Sequence, residues 1–151
     1  MDYLKHKPEH FEFRGLYIDN WFSNMTPVKI EVDGILYNSV ENYYQAMKTT
    51  DLTEQRVIAR ESPAMAKRIG RRTTHLRSDW EDVKFEIMLK ALRAKFNIPE
   101  WKDKLLGTND EILIEWNNWS DKIWGVTLDG KGNNLLGKAL MQVRDELKKH
   151  D

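Results

Sequence analysis

The stretch Val28-Lys-Ile-Glu-Val-Asp-Gly-Ile-Leu-Tyr-Asn-Ser-Val-Glu-Asn-Tyr-Tyr-Gln-Ala-Met-Lys48 decides the fold. In its first half Val28, Ile30 and Val32 alternate with charged residues, the period of a half-buried strand. Asp33-Gly34 is a two-residue turn signal, so 28–37 reads as a β-hairpin with its inner face on a core. In the second half Ser39 stands as an N-cap before 40–48, whose residues suit a helix of about two to three turns.

Outward from this stretch, helices dominate. A second helix is expected from about Leu52 to Arg60. Ser62-Pro63 supplies an N-cap with Pro at the first helical position and Gly70 offers a stop, which predicts a short helix over 63–69. Ser78-Asp-Trp-Glu81 matches a capping box, and Trp80, Val83, Ile87, Ala91 and Ala94 follow at helical spacing to about Phe96. This is the longest element and is expected to be central. Pro99 ends that run, 101–106 reads as another short helix, and Glu111-Ile-Leu-Ile-Glu-Trp116 reads as a buried strand. The Asn-, Asp- and Gly-rich stretch 117–134 reads as a long functional loop, and Leu136, Ala139, Leu140, Val143 and Leu147 mark a closing amphipathic helix. Without a regular strand–helix alternation the class is α+β: a predominantly helical single domain over 1–151 with a small β-hairpin or sheet.

Composition narrows the chemistry. The 151 residues carry 24 Lys and Arg against 24 Asp and Glu, are 40% hydrophobic, and include no cysteine. A chain of this length buries roughly two-thirds of its unfolded surface around one core, so no disulfide or metal clip is needed. Thiolate nucleophiles, Cys-ligated zinc and iron–sulfur clusters are excluded. His6, His10, His75 and His150 show no metal-ligand spacing, so a His-based metal site is not expected, and no cofactor is expected. Nothing reaches the roughly 18 apolar residues of a membrane span, and the first residues lack the apolar run of a secretory signal; a cytoplasmic location is expected. Zero net charge argues against a dedicated nucleic-acid binder but not against local clusters. The six tryptophans either fill the core or stack a base.

Four clusters bear on function. Glu41, Tyr44, Gln45 and Lys48 stand at i, i+3, i+4 and i+7 and so share one helix face. Glu41 and Lys48 lie roughly 10 Å apart along the axis at about 1.5 Å per residue, suited to flanking one bound molecule, although spacing alone favours a solvated face. Lys67, Arg68, Arg71, Arg72, His75 and Arg77 occur without an intervening acid: a phosphate site and a solvated basic stretch weigh about evenly. The loop 129–134 is a second candidate anion site and, taken alone, a surface turn; it lacks the Walker A pattern. Trp116, Trp119 and Trp124 surround Asp121, either as an aromatic corner of the core or as the setting of a proton-transferring acid. No nucleophile elbow supports a serine hydrolase.

Together these segments resemble a known family. The ordered set is Phe22-Ser23-Asn24, Val32-Asp33-Gly34, Ser39-Val40-Glu41 with Gln45-Ala46 and Lys48, Ser62-Pro63 with Ala66 and Gly70-Arg71, and Trp80 with Lys84. It continues through Lys90-Ala-Leu-Arg-Ala-Lys-Phe96, Leu105-Leu106 with Thr108, Glu115, Asp121 with Trp124-Gly125, and Asn134-Leu135-Leu136-Gly137 with Leu140-Met141 and Arg144. Over about 20–147 the chain resembles the YbiA-like, or NADAR, family. The resemblance implies an N-glycosidase cleaving the C–N bond between a ribose C1 and a base or amine. The substrates it implies are phosphorylated ribosylamino-pyrimidine intermediates of riboflavin synthesis or N-linked ADP-ribosyl groups. Family branches that remove ADP-ribose from guanine in nucleic acid supply an alternative, and a module that holds ADP-ribose or a nucleotide without cleaving it is a second. The partner this implies is a small-molecule ribosyl phosphate or ADP-ribosyl substrate, with ADP-ribosylated nucleic acid as the alternative, and neither a membrane nor an obligate protein partner is expected.

Carried over residue by residue, the resemblance makes Glu41, Lys48 and Asp121 catalytic. Asn24, Tyr44, Gln45, Arg71, Trp80, Trp124, Gly125 and Asn134 become substrate-binding, with Trp80 and Trp124 sandwiching the base. Glu41 or Asp121 would provide acid–base catalysis; Lys48 would hold a phosphate or hydroxyl, or attack a ring-opened aldehyde as a Schiff-base nucleophile. The 67–77 arginines and the 130–134 loop would hold phosphate or pyrophosphate. Two positions depart from the family pattern: Asn42 stands where His is common, and the span from Glu115 to Asp121 is one residue longer.

Overall fold

The computed structural model describes residues 1–7 and 21–150; His10 lies outside them. The hairpin forms as expected: β1 (Ile30–Val32) pairs antiparallel with β2 (Ile35–Tyr37). Asp33 at φ 51° and Gly34 at φ 82° give the left-handed two-residue turn that matches strand twist. Ile30, Val32 and Tyr37 are buried.

α1 (Val40–Ala46) follows at once, and the Ser39 Oγ accepts from the Asn42 backbone N–H at 3.1 Å as an N-cap should. The helix ends at Ala46, so Lys48 sits on the turn beyond it. α2 (Leu52–Arg60) has the expected bounds. α3 (Pro63–Arg71) runs through Gly70 instead of stopping there, because this glycine is a contact point and not a cap. α4 (Trp80–Phe96) is the longest element and packs on α1, on β1 and on the two helices that follow it, α5 (Pro99–Leu106) and α6 (Leu135–Lys149). Pro99 therefore begins α5 as well as ending the preceding run.

Two local expectations are corrected. The capping box at 78–81 does not form: Asp79 is the N-cap residue of α4, and its carboxylate makes no cap bond because it accepts from the Arg77 guanidinium at 2.6 and 3.1 Å. Residues 111–115 form no strand; only β3 (Trp116–Asn117) pairs, parallel to β4 (Val126–Thr127). The Asn134 side chain replaces a neighbouring strand, donating to the Leu113 carbonyl at 2.9 Å and accepting from the Glu115 N–H at 3.0 Å. The backbone of an extended segment needs partners, and a side chain can supply them.

Among the described residues, then, there are six α-helices and two small two-stranded sheets, the α+β class expected. None of these helices is long and apolar enough to cross a membrane. Arg144 of α6, buried, donates to the Thr108 Oγ1 at 2.9 Å and the Glu111 carbonyl at 2.8 Å and so ties the closing helix to the chain leaving α5. That chain and the loop 117–124 bring Glu115 and Asp121 opposite α1, where the site lies.

Candidate active site

α1 is buried along its whole length, so its polar column is not a wet face. Glu41 is 8% exposed and Gln45 3%, and with Tyr44 and Lys48 they line a cavity of about 500 Å³. Asn24, Lys67, Arg71, Glu115, Asp121 and Trp124 line the same cavity. Burying a carboxylate is costly without compensation. Here the Gln45 Nε2 donates to the Glu41 Oε1 at 2.8 Å, one helical turn away, while the Glu41 Oε2 makes no hydrogen bond among the described residues.

Lys48 lies over two rings, its Nζ 5.4 Å from the Tyr44 centroid and 5.7 Å from that of Trp80. It makes no ion pair among the described residues. Burial pushes its ammonium below the ordinary lysine value; Glu41 opposes that shift, and the nearby Arg71, Lys67 and Lys84 charges reinforce it. Burial also raises the Tyr44 phenol, whose oxygen accepts from the Trp124 Nε1 at 3.0 Å. Tyr44 packs edge-on against both Trp80, at 5.0 Å, and Trp124, at 5.4 Å. Phe85 stacks on Trp124 at 6.5 Å.

The residues singled out from sequence divide into three groups. Glu41, Lys48, Asp121, Asn24, Tyr44, Gln45, Arg71 and Trp124 meet around the cavity. Trp80 does not line it but packs behind Tyr44 and Lys48, so no base sandwich between Trp80 and Trp124 is formed by these rings. Gly125 and Asn134 also lie off the lining: a Cβ on Gly125 would stand 2.4 Å from the Glu115 carbonyl oxygen, and Asn134 spends its side chain on 113–115. Of the basic stretch, Lys67 and Arg71 reach the cavity, one turn apart on α3, whereas Arg77 is paired with Asp79 and the 130–134 loop stays away.

Asp121 has a different hydrogen-bond load from Glu41. Its Oδ1 accepts from the backbone N–H groups of Ile123 and Trp124, both at 3.0 Å, which makes it a turn residue as well as a cavity residue. The Asn24 Oδ1 is buried and has no partner, an acceptor available to a ligand donor. Sequence reading passed over Asn117, whose Oδ1 accepts from the Asp121 and Trp119 N–H groups at 2.9 and 3.3 Å and whose Nδ2 donates to the Asp121 carbonyl at 2.7 Å. It also passed over the role of Lys95, which is fully buried and donates to the Trp21 and Ser23 carbonyls at 2.7 and 3.1 Å, holding the segment that carries Asn24. Lys95 had a signal: it falls at helical spacing from Met88, Ala91 and Leu92 on an apolar face. No group of three or more His, Cys, Asp or Glu side chains gathers as a metal site would among the described residues.

A helical domain with an acid and a lysine enclosed in one aromatic-walled cavity defines the class, and the sequence pattern of the NADAR domain matches residues 3–148. The chain belongs to the NADAR domain family. Within it the chain is similar to the N-glycosidase YbiA of Escherichia coli, at 43% identity over 129 residues, 83% of this chain and 80% of that protein. An N-glycosidase of Nostoc punctiforme is 38% identical over 133 residues, 84% of this chain and 85% of that one. A riboflavin biosynthesis protein of Vibrio vulnificus is 39% identical over 134 residues, which are 86% of this chain but 36% of that longer one. The NMR structure of E. coli YbiA superposes with a TM-score of 0.79 at 41% identity, covering 86% of this chain and 79% of that one.

Proposed function

We propose that this chain is an N-glycosidase that hydrolyses the bond between a ribose C1 and a base or amine nitrogen, on a phosphorylated ribosylamino-pyrimidine or an N-linked ADP-ribosyl substrate. The observation that carries the reading is the enclosure of Glu41 and Lys48 in one cavity with Lys67 and Arg71. Relatives named N-glycosidases over most of their length support the reaction type, and the longer relative named for riboflavin biosynthesis supports the pyrimidine arm.

Cleavage breaks the C1–N bond, leaves the oxygen of water on C1 and sends a proton to the departing nitrogen. Glu41, with its free Oε2, carries that proton between water and nitrogen. Lys48 acts in one of two ways: its ammonium holds the sugar or phosphate, or its amine adds to C1 of the ring-opened sugar. In the second route the base nitrogen leaves with a proton, and water then hydrolyses the lysine imine to return the amine. The lowered Lys48 value enlarges the neutral amine fraction and favours the second route. Lys67 and Arg71 bind the phosphate.

The test is incubation with a ribosylamino-pyrimidine phosphate, NAD and ADP-ribosylated guanine DNA, with mass detection of released base and sugar. Turnover of the first substrate only supports the metabolite arm, and turnover of the DNA only supports the alternative. Binding with no release would leave a non-catalytic module. Glu41→Gln and Lys48→Ala are each expected to lower turnover by roughly a hundredfold or more. Full turnover in both would overturn the assignment. Borohydride should trap a covalent sugar adduct on wild type and not on Lys48→Arg; its absence from wild type assigns Lys48 the electrostatic role.

A further inference from the structure

We infer that Gln45 is a positioning residue for Glu41 and that Gly70 is glycine in order to hold it there. The inference rests on the catalytic reading of Glu41 given above. Three observations carry it. The Gln45 amide donates to the Glu41 Oε1 at 2.8 Å from the next helical turn. Its own Oε1 is buried with no hydrogen-bond partner. That oxygen abuts α3 at Gly70: a Cβ there would stand 2.0 Å from the Gln45 Oε1 and 2.8 Å from its Cβ and Cδ.

The chemistry of the amide follows from this contact. Rotated end for end, Gln45 would set its oxygen against a carboxylate oxygen, acceptor against acceptor, so only the observed orientation is favourable. Gly70 lies inside α3, where glycine costs about 1 kcal/mol relative to alanine. The close approach of α1 and α3 accounts for that cost, since any side chain at 70 would drive Gln45 out of its place. One Glu41 oxygen is thereby fixed and the other is left for substrate. Gln45 lines the cavity, yet its polar groups are directed at Glu41 and Gly70, which makes positioning its part and not substrate recognition.

The test compares Gln45→Glu, Gln45→Met and Gly70→Ala with wild type and with Glu41→Gln, all in the full chain, on whichever of the three substrates above wild type turns over. The near-isosteric Gln45→Glu places two carboxyls side by side, which share a proton, so the acid limb of kcat/KM should move to higher pH by about one unit or more. The other titratable or charged groups lining the cavity with Glu41 are Tyr44 of α1, Lys48 on the turn after it, Lys67 and Arg71 of α3, and Glu115, Asp121 and Lys122 from the segment opposite. All are unchanged in these variants, so the movement belongs to the new pair. Gln45→Met keeps the volume and removes the donor; kcat should fall about tenfold with KM changed little. Gly70→Ala should behave like Gln45→Met, with loss of kcat from outside the cavity.

An unmoved acid limb in Gln45→Glu together with wild-type kcat in Gln45→Met would overturn the inference while leaving Glu41→Gln inactive and the catalytic reading intact. Full turnover by Glu41→Gln would instead remove the reading on which it rests. If Gln45→Glu fails to fold by circular dichroism, the kcat and KM of Gln45→Met and Gly70→Ala decide.

Discussion

Asn42 occupies the position where the family commonly has His, one residue from the candidate acid, and it faces away from the cavity. Its Nδ2 donates to the carbonyls of Ile58 at 2.8 Å and Glu61 at 2.7 Å, and its Oδ1 accepts from the Ser39 hydroxyl at 2.5 Å. It closes the end of α2 onto the start of α1. The absence of an imidazole at 42 therefore removes nothing from the cavity lining. Asn42→Ala should cost about 2–4 kcal/mol by leaving two carbonyls without this donor, read as a lower midpoint in urea, with kcat within about threefold of wild type at a temperature where the variant is folded. A large loss of kcat in the folded variant would place Asn42 in the reaction. Helical spacing sets Asn42 off the Glu41–Gln45 face, but which neighbour receives that other face depends on α2, about sixteen residues later in the chain.

At the scale of elements, what reads well from sequence is what short-range chemistry fixes. The Asp33-Gly34 turn, the Ser39 and Ser62 caps and the apolar spacing of α4 and α6 are each satisfied within a few residues, and the structure has all of them. The failed expectations lost to partners more suited to the same atoms: Arg77 took the Asp79 carboxylate from the cap, and Asn134 took the backbone of 113–115 from a strand. The loop 117–124 depends on Asn117 in the same way. It carries Asp121 and Trp124 to the cavity, and Ser120 within it adopts φ 66°. Asn117→Ala should release the turn and raise KM at least about fivefold, with smaller change in kcat and faster proteolysis between 117 and 124. Unchanged KM and unchanged proteolysis would show that the loop is held without it.

For the molecule as a whole, the buried Lys95 links stability to pH. Burial pushes its ammonium down to about 7, with the Glu115 charge opposing that shift. In the unfolded chain it titrates near its ordinary value of 10.5. Between those values the unfolded chain holds the proton and the folded chain does not, so unfolding takes up a proton and this residue's contribution to stability rises with pH. Below about 7 both states are protonated and the burial penalty is fully present. Denaturation in urea from pH 6 to 9 should show a contribution of up to about 1.4 kcal/mol per pH unit above 7 that Lys95→Met lacks. Parallel curves for the two proteins would refute it. The same lysine holds the segment 21–25, so this pH range also bears on how firmly Asn24 is presented.

By itself the sequence determined the hairpin, the main helices with the Ser39 and Ser62 caps, the face shared by Glu41, Tyr44 and Gln45, and the exclusion of thiol chemistry. These depend on periodicity, turn stereochemistry and residue type, all of which are local. Only the tertiary structure decided that this polar face is buried, that Lys67 and Arg71 out of the basic stretch reach it, and that Trp80, Gly125 and Asn134 support the site from behind its lining. Those outcomes depend on which distant surface each side chain meets. The physical reason is that burial and hydrogen-bond partnership are properties of packed elements, and a charged helix face becomes a cavity wall only when other elements close over it.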